Sequence, residues 1–465
     1  MKIVFVCGSH NQTPFSEFIP LTKYFEQQNI ESFFVLEENA DKAIVDKLKA
    51  SNINYYLGGK KNFYKEETSK KNTIQNKSIK QKLKSILPKS IKEIIRQFLD
   101  LLTLYKYFAE TDKLIEEIFN KENPDAIVLY GDRVMGQVPS AIKWMRKNNK
   151  PIIDIQIAVS DEKFLYSSFR QNSFYVGTKN PLNWLFGQFF PKYKQCFKNE
   201  CVLFYSWSRM LILWTKGMLP SNPWYLGQSW ADRFLLISKK DKQTILKSCP
   251  ESSNGVVVGQ YSHDALFEVY KNKDQIKQTL LEKYFDIEQT EKEIIIFGMP
   301  QFFEHHIFDE KRSIEEIEYV LDILTNFTDK LVLLSLHPKM PYENYSYIDS
   351  KYENIKVLKD ERLSGTLPIA DYFISIFEST ISWALMCEVV PVFLDYYELG
   401  FDVSKYSAVQ DLKNKNTFEK DMQKIIENKN EILKDISKEK ELLPPFDGKS
   451  GERILSEIRK AIDEK

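Results

Sequence analysis

The stretch LVLLSLHP, residues 331–338, joins four aliphatic residues to a short segment that contains a serine, a histidine and a proline. A continuous apolar run of this length is typical of a strand that is buried on both faces, as the strands of a parallel sheet are. Ligands of such sheets bind beyond the carboxyl ends of the strands. The stretch therefore predicts a parallel α/β fold with His337 at its functional edge.

Similar runs recur along the whole chain, and amphipathic helical periods separate them. Strands are predicted at residues 2–7, 31–36, 126–130, 151–157, 233–238, 255–258, 293–297, 331–336, 354–357, 372–376 and 390–394, and helices at 15–28, 41–50, 91–120, 141–148, 314–327, 381–388 and 418–440. This alternation predicts doubly wound parallel sheets. Because 465 residues exceed one ordinary core, we expect two domains, 1–234 and 235–465, with the last helix a candidate to pack back on the first.

The composition excludes several classes of protein. The 65 basic and 65 acidic residues balance, which argues against a nucleic-acid-binding protein. The five cysteines are scattered and odd in number, as is typical of reduced thiols in a cytosolic protein. The N-terminal apolar run is too short for an export signal, and no apolar segment is long enough to span a bilayer. We expect a cytoplasmic protein, either free or at the inner face of the cytoplasmic membrane.

Two segments interrupt the alternation of strands and helices. Residues 60–90 are rich in Lys and Asn, which fits either a solvated excursion or a basic arm that meets an anionic lipid surface. Residues 164–230 hold five of the seven tryptophans, interleaved with Lys and Arg. That window fits either peripheral membrane contact through an interfacial helix or an aromatic-rich insertion packed on its own domain.

Candidate site residues are those that directly follow the predicted strands. They are Gly8 and His10 after the first strand, Asp132 and Arg133 after 126–130, Gln301, Glu304 and His305 after 293–297, His337 and Pro338 after 331–336, and Glu378, Ser379 and Thr380 after 372–376, together with Ser375 near the end of that strand. Gly8, His10 and Arg133 are assigned to the acceptor side or to the cleft between the domains.

The chemistry of these residues points to an anionic ligand. Ser379 and Thr380 precede a predicted helix, where hydroxyls and free N–H groups can hold a phosphate, although a plain N-cap is an alternative. His337 can donate to a phosphate or a ribose, and Pro338 would keep its turn rigid. Glu304 beside His305 fits general acid or base work, with Asp132 as the rival base. Neighbouring histidines point apart on most backbones, so neither a metal nor a cofactor is expected.

Four segments together resemble the GT-B superfamily. They are NPDAIVLYGDRVMGQVPSAI (123–142), MPQFFEHH (299–306), LHP (336–338) and FESTISWALMCEVVPVF (377–393). They are similar to UDP-N-acetylglucosamine 2-epimerases and to bacterial capsule and surface-polysaccharide glycosyltransferases. The resemblance implies two Rossmann-like domains facing a central cleft. It places Glu304 in the family's His-Arg-x-Glu-Asn loop, and the nucleotide-sugar phosphates near residues 336–338 and the segment 377–393. Gln301 and Ser375 are further candidates for binding the nucleotide-sugar.

Departures from the epimerase pattern bear on the activity. Where the epimerases carry a His-x-Glu-Ala-Gly-x-Arg segment with a catalytic acid, this chain has DIQIAVSDE (154–162), with Gln156 near the acid's position. The family's Ser-Gly-Gly loop is replaced by Glu378-Ser379-Thr380. The His-Pro pair with a downstream Ser/Thr pair is similar instead to bacterial sialyltransferases and polysialyltransferases that use cytidine nucleotides.

Three hypotheses follow for the function. The first is a metal-independent glycosyltransferase that uses a CMP- or CDP-linked sugar, with UDP also open, on a glycan or lipid-linked acceptor of a bacterial surface polysaccharide. The second is an epimerase or hydrolase of the UDP-N-acetylglucosamine 2-epimerase type. The third is an inactive scaffold in a membrane-associated assembly complex.

Overall fold

A computed structural model describes most of the chain. The described residues are 1–8, 12–58, 60–62, 89–157, 173–197, 200–250, 252–288, 290–304, 307–337, 340–376, 380–397, 399, 403–404 and 406–465. Most of the predicted basic excursion, residues 63–88, and the start of the aromatic window, residues 164–172, lie outside them.

The first sheet has eight strands in the order β10-β9-β6-β5-β1-β2-β3-β4. Their bounds are β1 Lys2–Val6, β2 Glu31–Leu36, β3 Tyr55–Leu57, β4 Lys60–Asn62, β5 Ala126–Leu129, β6 Ile152–Ile155, β9 Arg233–Leu236 and β10 Gly255–Val257. Every neighbouring pair is parallel except β3 with β4. Without the antiparallel edge strand, this is the 3-2-1-4-5-6 order of a doubly wound sheet, extended by one strand.

The second sheet has six parallel strands in the order β13-β12-β11-β14-β15-β16. Their bounds are β11 Glu293–Gly298, β12 Lys330–Ser335, β13 Ile355–Val357, β14 Tyr372–Ser375, β15 Val390–Leu394 and β16 Gln410–Leu412. The strand order is again 3-2-1-4-5-6. The two sheets confirm the predicted α/β class with two Rossmann-like domains.

Helices connect the strands. Their bounds are Thr13–Gln27, Lys42–Ala50, Lys89–Glu122, Val138–Lys147, Ser173–Val176, Pro181–Phe189, Trp207–Thr215, Lys239–Ser248, Tyr261–Lys271, Lys273–Phe285, Glu310–Leu324, Ile348–Lys351, Leu363–Thr366, Ile381–Met386, Phe418–Glu427, Lys429–Glu439 and Ser450–Asp463. The single helix predicted at 418–440 is wrong, because the side-chain amide of Asn428 donates to the carbonyl of Lys424 at 2.9 Å and ends the first of two helices.

The central strands of the first sheet are buried on both faces. Within β1, Val4 and Val6 pack in one apolar cluster, whereas Ile3 and Phe5 pack in another. Because successive side chains point to opposite faces of a strand, the two clusters lie on the two sides of the sheet. This two-sided burial explains the continuous apolar runs in the sequence.

The chain divides into two compact units. The first comprises residues 1–237, 241–261 and 451–465, and the second comprises residues 238–240 and 262–450. The boundary expected after residue 234 puts the strand at 255–258 and most of the strand at 233–238 with the second domain, but β9 pairs with β6 and β10 pairs with β9 in the first sheet. Runs of similar composition do not reveal which sheet a strand joins, since pairing is a long-range contact.

A small hairpin lies within the aromatic window. Strands β7 (Lys194–Phe197) and β8 (Glu200–Leu203) pair antiparallel, with Cys196 opposite Cys201. A disulfide joins these two cysteines, and the other three, Cys7, Cys249 and Cys387, are buried thiols outside any disulfide. The expectation of five reduced thiols is therefore wrong for this pair, because the hairpin register brings the two sulfurs together.

Asp132, a predicted catalytic base, is part of the internal framework of the first unit. Its carboxylate accepts backbone N–H groups from Gly227 at 3.1 Å, Ser229 at 2.8 Å and Trp230 at 2.7 Å. The residue is only 2 % exposed. Both oxygens are thus engaged in holding the segment 227–230, which corrects the proposed role as a base.

A second buried carboxylate holds the strand end that carries Asp132. Asp154 in β6 accepts the N–H of Gly131 at 2.7 Å and that of Asp132 at 3.0 Å. Burial and the neighbouring Asp132 carboxylate raise the pKa of Asp154 to about 8. Arg133 is also buried, donating to the carbonyl of Pro223 at 2.6 Å and lying over the ring of Phe204. Arg133 therefore has a structural role rather than the predicted acceptor-side role.

Gly227 allows the segment held by Asp132 to pass close to β9. Its φ is +67°, and a Cβ at this position would lie 2.3 Å from the ring of Phe234. Gly217 has the same φ of +67°, but a Cβ there would meet nothing within 4 Å. The two glycines therefore separate the cost of the backbone conformation from the cost of a clash.

We predict that Gly227→Ala lowers the free energy of unfolding by about 3 kcal/mol or more, because it adds a core clash to the left-handed strain. The matched control Gly217→Ala is expected to cost about 1 kcal/mol, since it carries the strain alone. Urea denaturation of both variants measures the difference, and equal losses would contradict the close approach to Phe234.

We predict that Asp132→Ala lowers the free energy of unfolding by about 3 kcal/mol or more, because three buried N–H groups lose their acceptor. Asp132→Asn keeps one acceptor oxygen and is expected to cost less. Urea denaturation is again the measurement. Unchanged stability of both variants together with lost turnover would restore Asp132 as a base.

A pH dependence of stability follows from the raised pKa of Asp154. Between the unfolded-state pKa of about 4 and the folded-state pKa of about 8, the folded protein holds a proton that the unfolded chain releases. The contribution of Asp154 to the free energy of unfolding therefore falls as the pH rises through this window. Asp132→Asn removes the neighbouring charge and is expected to make this fall shallower. Parallel pH profiles of the two proteins would contradict the coupling.

Candidate functional site

Three strands of the second sheet end at one level. In the register of the sheet, Gly298 of β11 lies beside Ser335 of β12, and Phe297 lies beside Ile374 of β14. The strand order reverses between β11 and β14, which is where doubly wound sheets bind ligands. The residues that follow these strands therefore share one edge.

A cavity of about 570 Å³ lies at this edge. Its volume falls in the range of small-molecule sites, about 300–1,000 Å³. Its polar lining includes Gln301, Ser335, His337, Ser375 and Thr380, and four of these five were predicted from the sequence. The structure thus brings Gln301, His337, Ser375 and Thr380 together.

His337 stands directly beyond the end of β12. The N–H of Met340 donates to the carbonyl of His337 at 2.8 Å and turns the chain back, with Met340 buried. Before it, Ser335 is buried and its carbonyl accepts the N–H of Met299 at 3.0 Å, which extends the β11–β12 ladder. His337 is therefore held between an extended ladder and a buried side chain.

Thr380 is the N-cap residue of the helix Ile381–Met386. Its side chain makes no capping hydrogen bond and has no other hydrogen-bond partner among the described residues. The helix is shorter than predicted, because Glu388 adopts a φ of +59° and the N–H of Val389 returns to the carbonyl of Ala384 at 2.9 Å. The Thr380 hydroxyl at the cavity wall is thus available to a ligand.

A buried phenylalanine anchors the loop that follows β11. Phe302 is fully buried, and its ring lies 4.9 Å from that of Phe308 and 4.7 Å from that of Tyr397. The neighbouring Gln301 reaches the cavity. Glu304 does not line the cavity; its Oε2 is buried without a hydrogen-bond partner in the described part of the chain.

Glu304 also affects the pKa of a neighbouring tyrosine, Tyr345. Burial and the Glu304 carboxylate raise the pKa of Tyr345 to about 12. The Glu304 carboxylate and the Tyr345 hydroxyl therefore interact with each other.

The far end of the cavity was missed by the sequence analysis. It is lined by residues 358–364, which follow β13, and by Tyr342. Leu358 is buried, whereas Arg362 is exposed and its guanidinium has no partner among the described residues. Glu361 is already bound by Lys283 at 2.6 Å. The rule that functional residues follow strands would have found this loop, had it been applied to the strand at 354–357.

Five predicted site residues fall outside the described part of the chain. They are His10, His305, Pro338, Glu378 and Ser379.

The corresponding edge of the first sheet is less open around β5 and β6. Asp132 and Arg133 are buried, and the space they line has essentially no room for a ligand in the described part of the chain. Gln156, near the position where the epimerases carry an acid, accepts the N–H of Ile237 at 3.0 Å and links β6 to the end of β9. Gly8 at the end of β1 is open, since a Cβ there would meet nothing within 4 Å.

No protein-family model matches this chain, and no curated protein is significantly similar to it. Among solved structures, UDP-GlcNAc 2-epimerase from Neisseria meningitidis bound to UDP-GlcNAc is 13 % identical with a TM-score of 0.53, over 99 % of this chain and 100 % of that chain. The complex of S. aureus MnaA with UDP is 14 % identical with a TM-score of 0.51, over 100 % and 97 %. The glycosyltransferase VinC in complex with dTDP is 11 % identical with a TM-score of 0.51, over 100 % of both chains.

Identities this low carry information about the fold alone. The similarity extends over the length of each chain, and both sheets have the doubly wound strand order. The chain has the GT-B fold and resembles both the UDP-GlcNAc 2-epimerases and the glycosyltransferases of that superfamily.

Proposed function

We propose that this protein is a metal-independent glycosyltransferase that uses a nucleotide-activated sugar to build a bacterial surface polysaccharide or glycan. The observation that carries the proposal is the cavity of about 570 Å³ at the carboxyl edge of the second sheet. An imidazole, two hydroxyls and an amide from three separate strand-end segments converge there, which is the polar set that a phosphate-containing ligand needs.

The donor phosphate is assigned to the segments after β12 and β14. His337 offers a ring N–H, and Thr380 offers a hydroxyl that has no other partner among the described residues. Ser375 and Gln301 lie on the same wall. These groups would stabilise the negative charge that grows on the nucleotide as the sugar leaves. Pro338, Glu378 and Ser379 remain proposed members of this group on sequence alone.

The base that activates the acceptor hydroxyl is assigned to Glu304, with His305 as a neighbouring candidate. Asp132 is withdrawn from this role, because three N–H groups occupy its carboxylate. Glu304 has one buried oxygen without a hydrogen-bond partner in the described part of the chain. Such an oxygen can accept a proton without breaking an existing contact.

The nucleoside is assigned to the far end of the cavity. Leu358 and Tyr342 supply apolar surface there, and Arg362, whose guanidinium has no partner among the described residues, supplies a cation. The neighbouring structures were solved with UDP-GlcNAc, UDP and dTDP, so a pyrimidine nucleotide is favoured. The sequence resemblance favours CMP- or CDP-linked sugars, and UDP-linked sugars are the second candidate.

Transfer is favoured over epimerisation by the residue at the end of β6. The glutamate of the epimerase segment is absent, and Gln156 lies near its position, with an Oε1 that accepts the N–H of Ile237 inside the unit. Asp154, on the same strand, is buried and bound to the N–H groups of Gly131 and Asp132. In the described part of β6, therefore, no carboxyl group is free for the acid step of an epimerase.

The acceptor is proposed to be a glycan or a lipid-linked glycan at the inner face of the cytoplasmic membrane. No helix in the described part of the chain is long and apolar enough to cross a bilayer. Contact with a lipid-linked acceptor would therefore be made from the surface.

We predict that His337→Ala weakens nucleotide binding about 10- to 100-fold, the loss expected for one hydrogen bond to a charged group. Calorimetric titration with CMP, CDP, UDP and GDP measures the change and identifies the nucleotide. Unchanged affinity for the preferred nucleotide would remove His337 from the site, and no binding of any nucleotide would favour the inactive scaffold.

We predict that Thr380→Val weakens binding of the same nucleotide about fivefold, because one neutral hydroxyl is lost at nearly constant volume. Thr328→Val is the matched control: Thr328 is exposed and precedes β12, at the opposite edge of the sheet. Equal effects of the two substitutions would contradict a phosphate contact at Thr380.

The reaction itself separates the two enzymatic hypotheses. Incubation with UDP-GlcNAc, without an acceptor and in the presence of a chelator, is expected to yield no isomeric sugar. Formation of a 2-epimer under these conditions would replace the transferase with an epimerase. Requirement for a divalent cation in transfer assays would contradict metal independence.

A further inference from the structure

Exposed apolar side chains are concentrated on one part of the first unit. Of the fifteen large hydrophobic residues exposed in the described part of the chain, nine lie on three helices, Lys89–Glu122, Pro181–Phe189 and Trp207–Thr215. The most exposed are Phe189 at 73 %, Leu102 at 69 %, Tyr105 at 60 % and Trp214 at 58 %. Isolated exposed apolar residues are common, but a concentration of this size marks an interaction surface.

The three helices form one continuous surface. Trp207 begins the third helix, and its ring lies 4.7 Å from that of Phe98 on the first helix and 6.1 Å from that of Phe186 on the second. Lys216, directly after the third helix, places its Nζ 5.6 Å from the ring centre of Tyr105. We call the exposed side chains of these helices the three-helix face.

On the first helix, the exposed residues follow a helical period. Ile95, Leu99, Leu102 and Tyr105 are spaced by three or four residues, so they form a single stripe. Phe108, three residues further, is buried. The stripe is therefore an apolar helix face that is exposed to solvent from Ile95 to Tyr105 and becomes buried at Phe108.

The composition of the face identifies the kind of partner. Its aromatic members include Tyr105, Trp184 and Trp214, whose rings combine an apolar body with a polar atom and suit the headgroup region of a bilayer. One lysine contacts the face, since the Nζ of Lys216 lies 5.6 Å from the ring centre of Tyr105, and Lys106 and Lys192 follow Tyr105 and Phe189 closely in the sequence. Residues 60–90, which lead into the first helix, hold ten lysines and two glutamates. Apolar rings beside cations fit an anionic lipid surface.

We propose that the three-helix face is a monotopic membrane-binding surface that seats the first unit on an anionic bilayer. This surface includes the helix Lys89–Glu122 in addition to the membrane contact predicted for residues 164–230. The inference deepens the proposed function and rests on it in one respect, namely that the bilayer carries the acceptor.

The test is flotation of the full-length protein with vesicles of phosphatidylglycerol and phosphatidylcholine. The unmodified protein is expected to float. A triple variant with one substitution on each helix, Leu102→Ser, Phe189→Ser and Trp214→Ser, is expected to lower the partition coefficient about a hundredfold or more. Added salt is expected to weaken binding of the unmodified protein, since lysines contribute.

A matched control carries three exposed apolar residues away from the face, Leu246→Ser, Ile314→Ser and Leu442→Ser, and is expected to float like the unmodified protein. Thermal melting checks that both triple variants are folded. Calorimetric titration with the preferred nucleotide, without vesicles, tests the donor site separately. A protein that floats but binds no nucleotide would contradict the proposed function and leave the membrane-binding surface supported.

Three results would overturn the inference. One is the absence of flotation with any vesicle. Another is equal flotation of the face variant and the control variant. The last is a dimer, seen by light scattering, that the face substitutions dissociate in a protein that does not float; the face would then be an interface between two copies of this chain.

Discussion

Burial of parallel strands on both faces is the constraint on which the rest of this structure depends. In a strand such as β12, all six residues are buried, and only the last of them, Ser335, lines the cavity. Polar chemistry is therefore concentrated at the carboxyl ends of the strands and in the residues that follow them. In the second sheet the register aligns the ends of β11, β12 and β14, so residues that are tens of positions apart in the chain share one cavity.

The strand-end loops keep their shape through buried anchors. In the second unit, the Phe302 ring holds the loop of Gln301, and the turn closed onto His337 carries the buried Met340. In the first unit the anchors are polar, because the Asp132 and Asp154 carboxylates collect backbone N–H groups from the segments around them. Burying two neighbouring carboxyl groups costs free energy, because burial and mutual repulsion disfavour their charged forms. The raised pKa of Asp154 reflects this cost.

The predictions from sequence succeeded where local pattern decides the outcome. The apolar runs coincide with strands of the two sheets, and four residues selected at predicted strand ends, His337, Gln301, Ser375 and Thr380, line one cavity. The sequence failed where residue type has two meanings. Asp132 and Arg133 follow a strand as functional residues do, yet their charged atoms are used inside the unit. A carboxylate in a strand-end loop looks the same in the sequence whether it meets a substrate or three backbone N–H groups.

By itself, the sequence determined the α/β class and the alternation of strands and helices, because two-sided burial and helical periodicity are local properties of the chain, and it also indicated four polar residues that line the cavity. Only the tertiary structure decided that β9 and β10 belong to the first sheet and that Cys196 faces Cys201. It also decided that Tyr105 and Trp214 lie on one exposed face, whereas Trp207 is buried beneath it. These outcomes depend on contacts between residues far apart in the chain, which neither periodicity nor composition records.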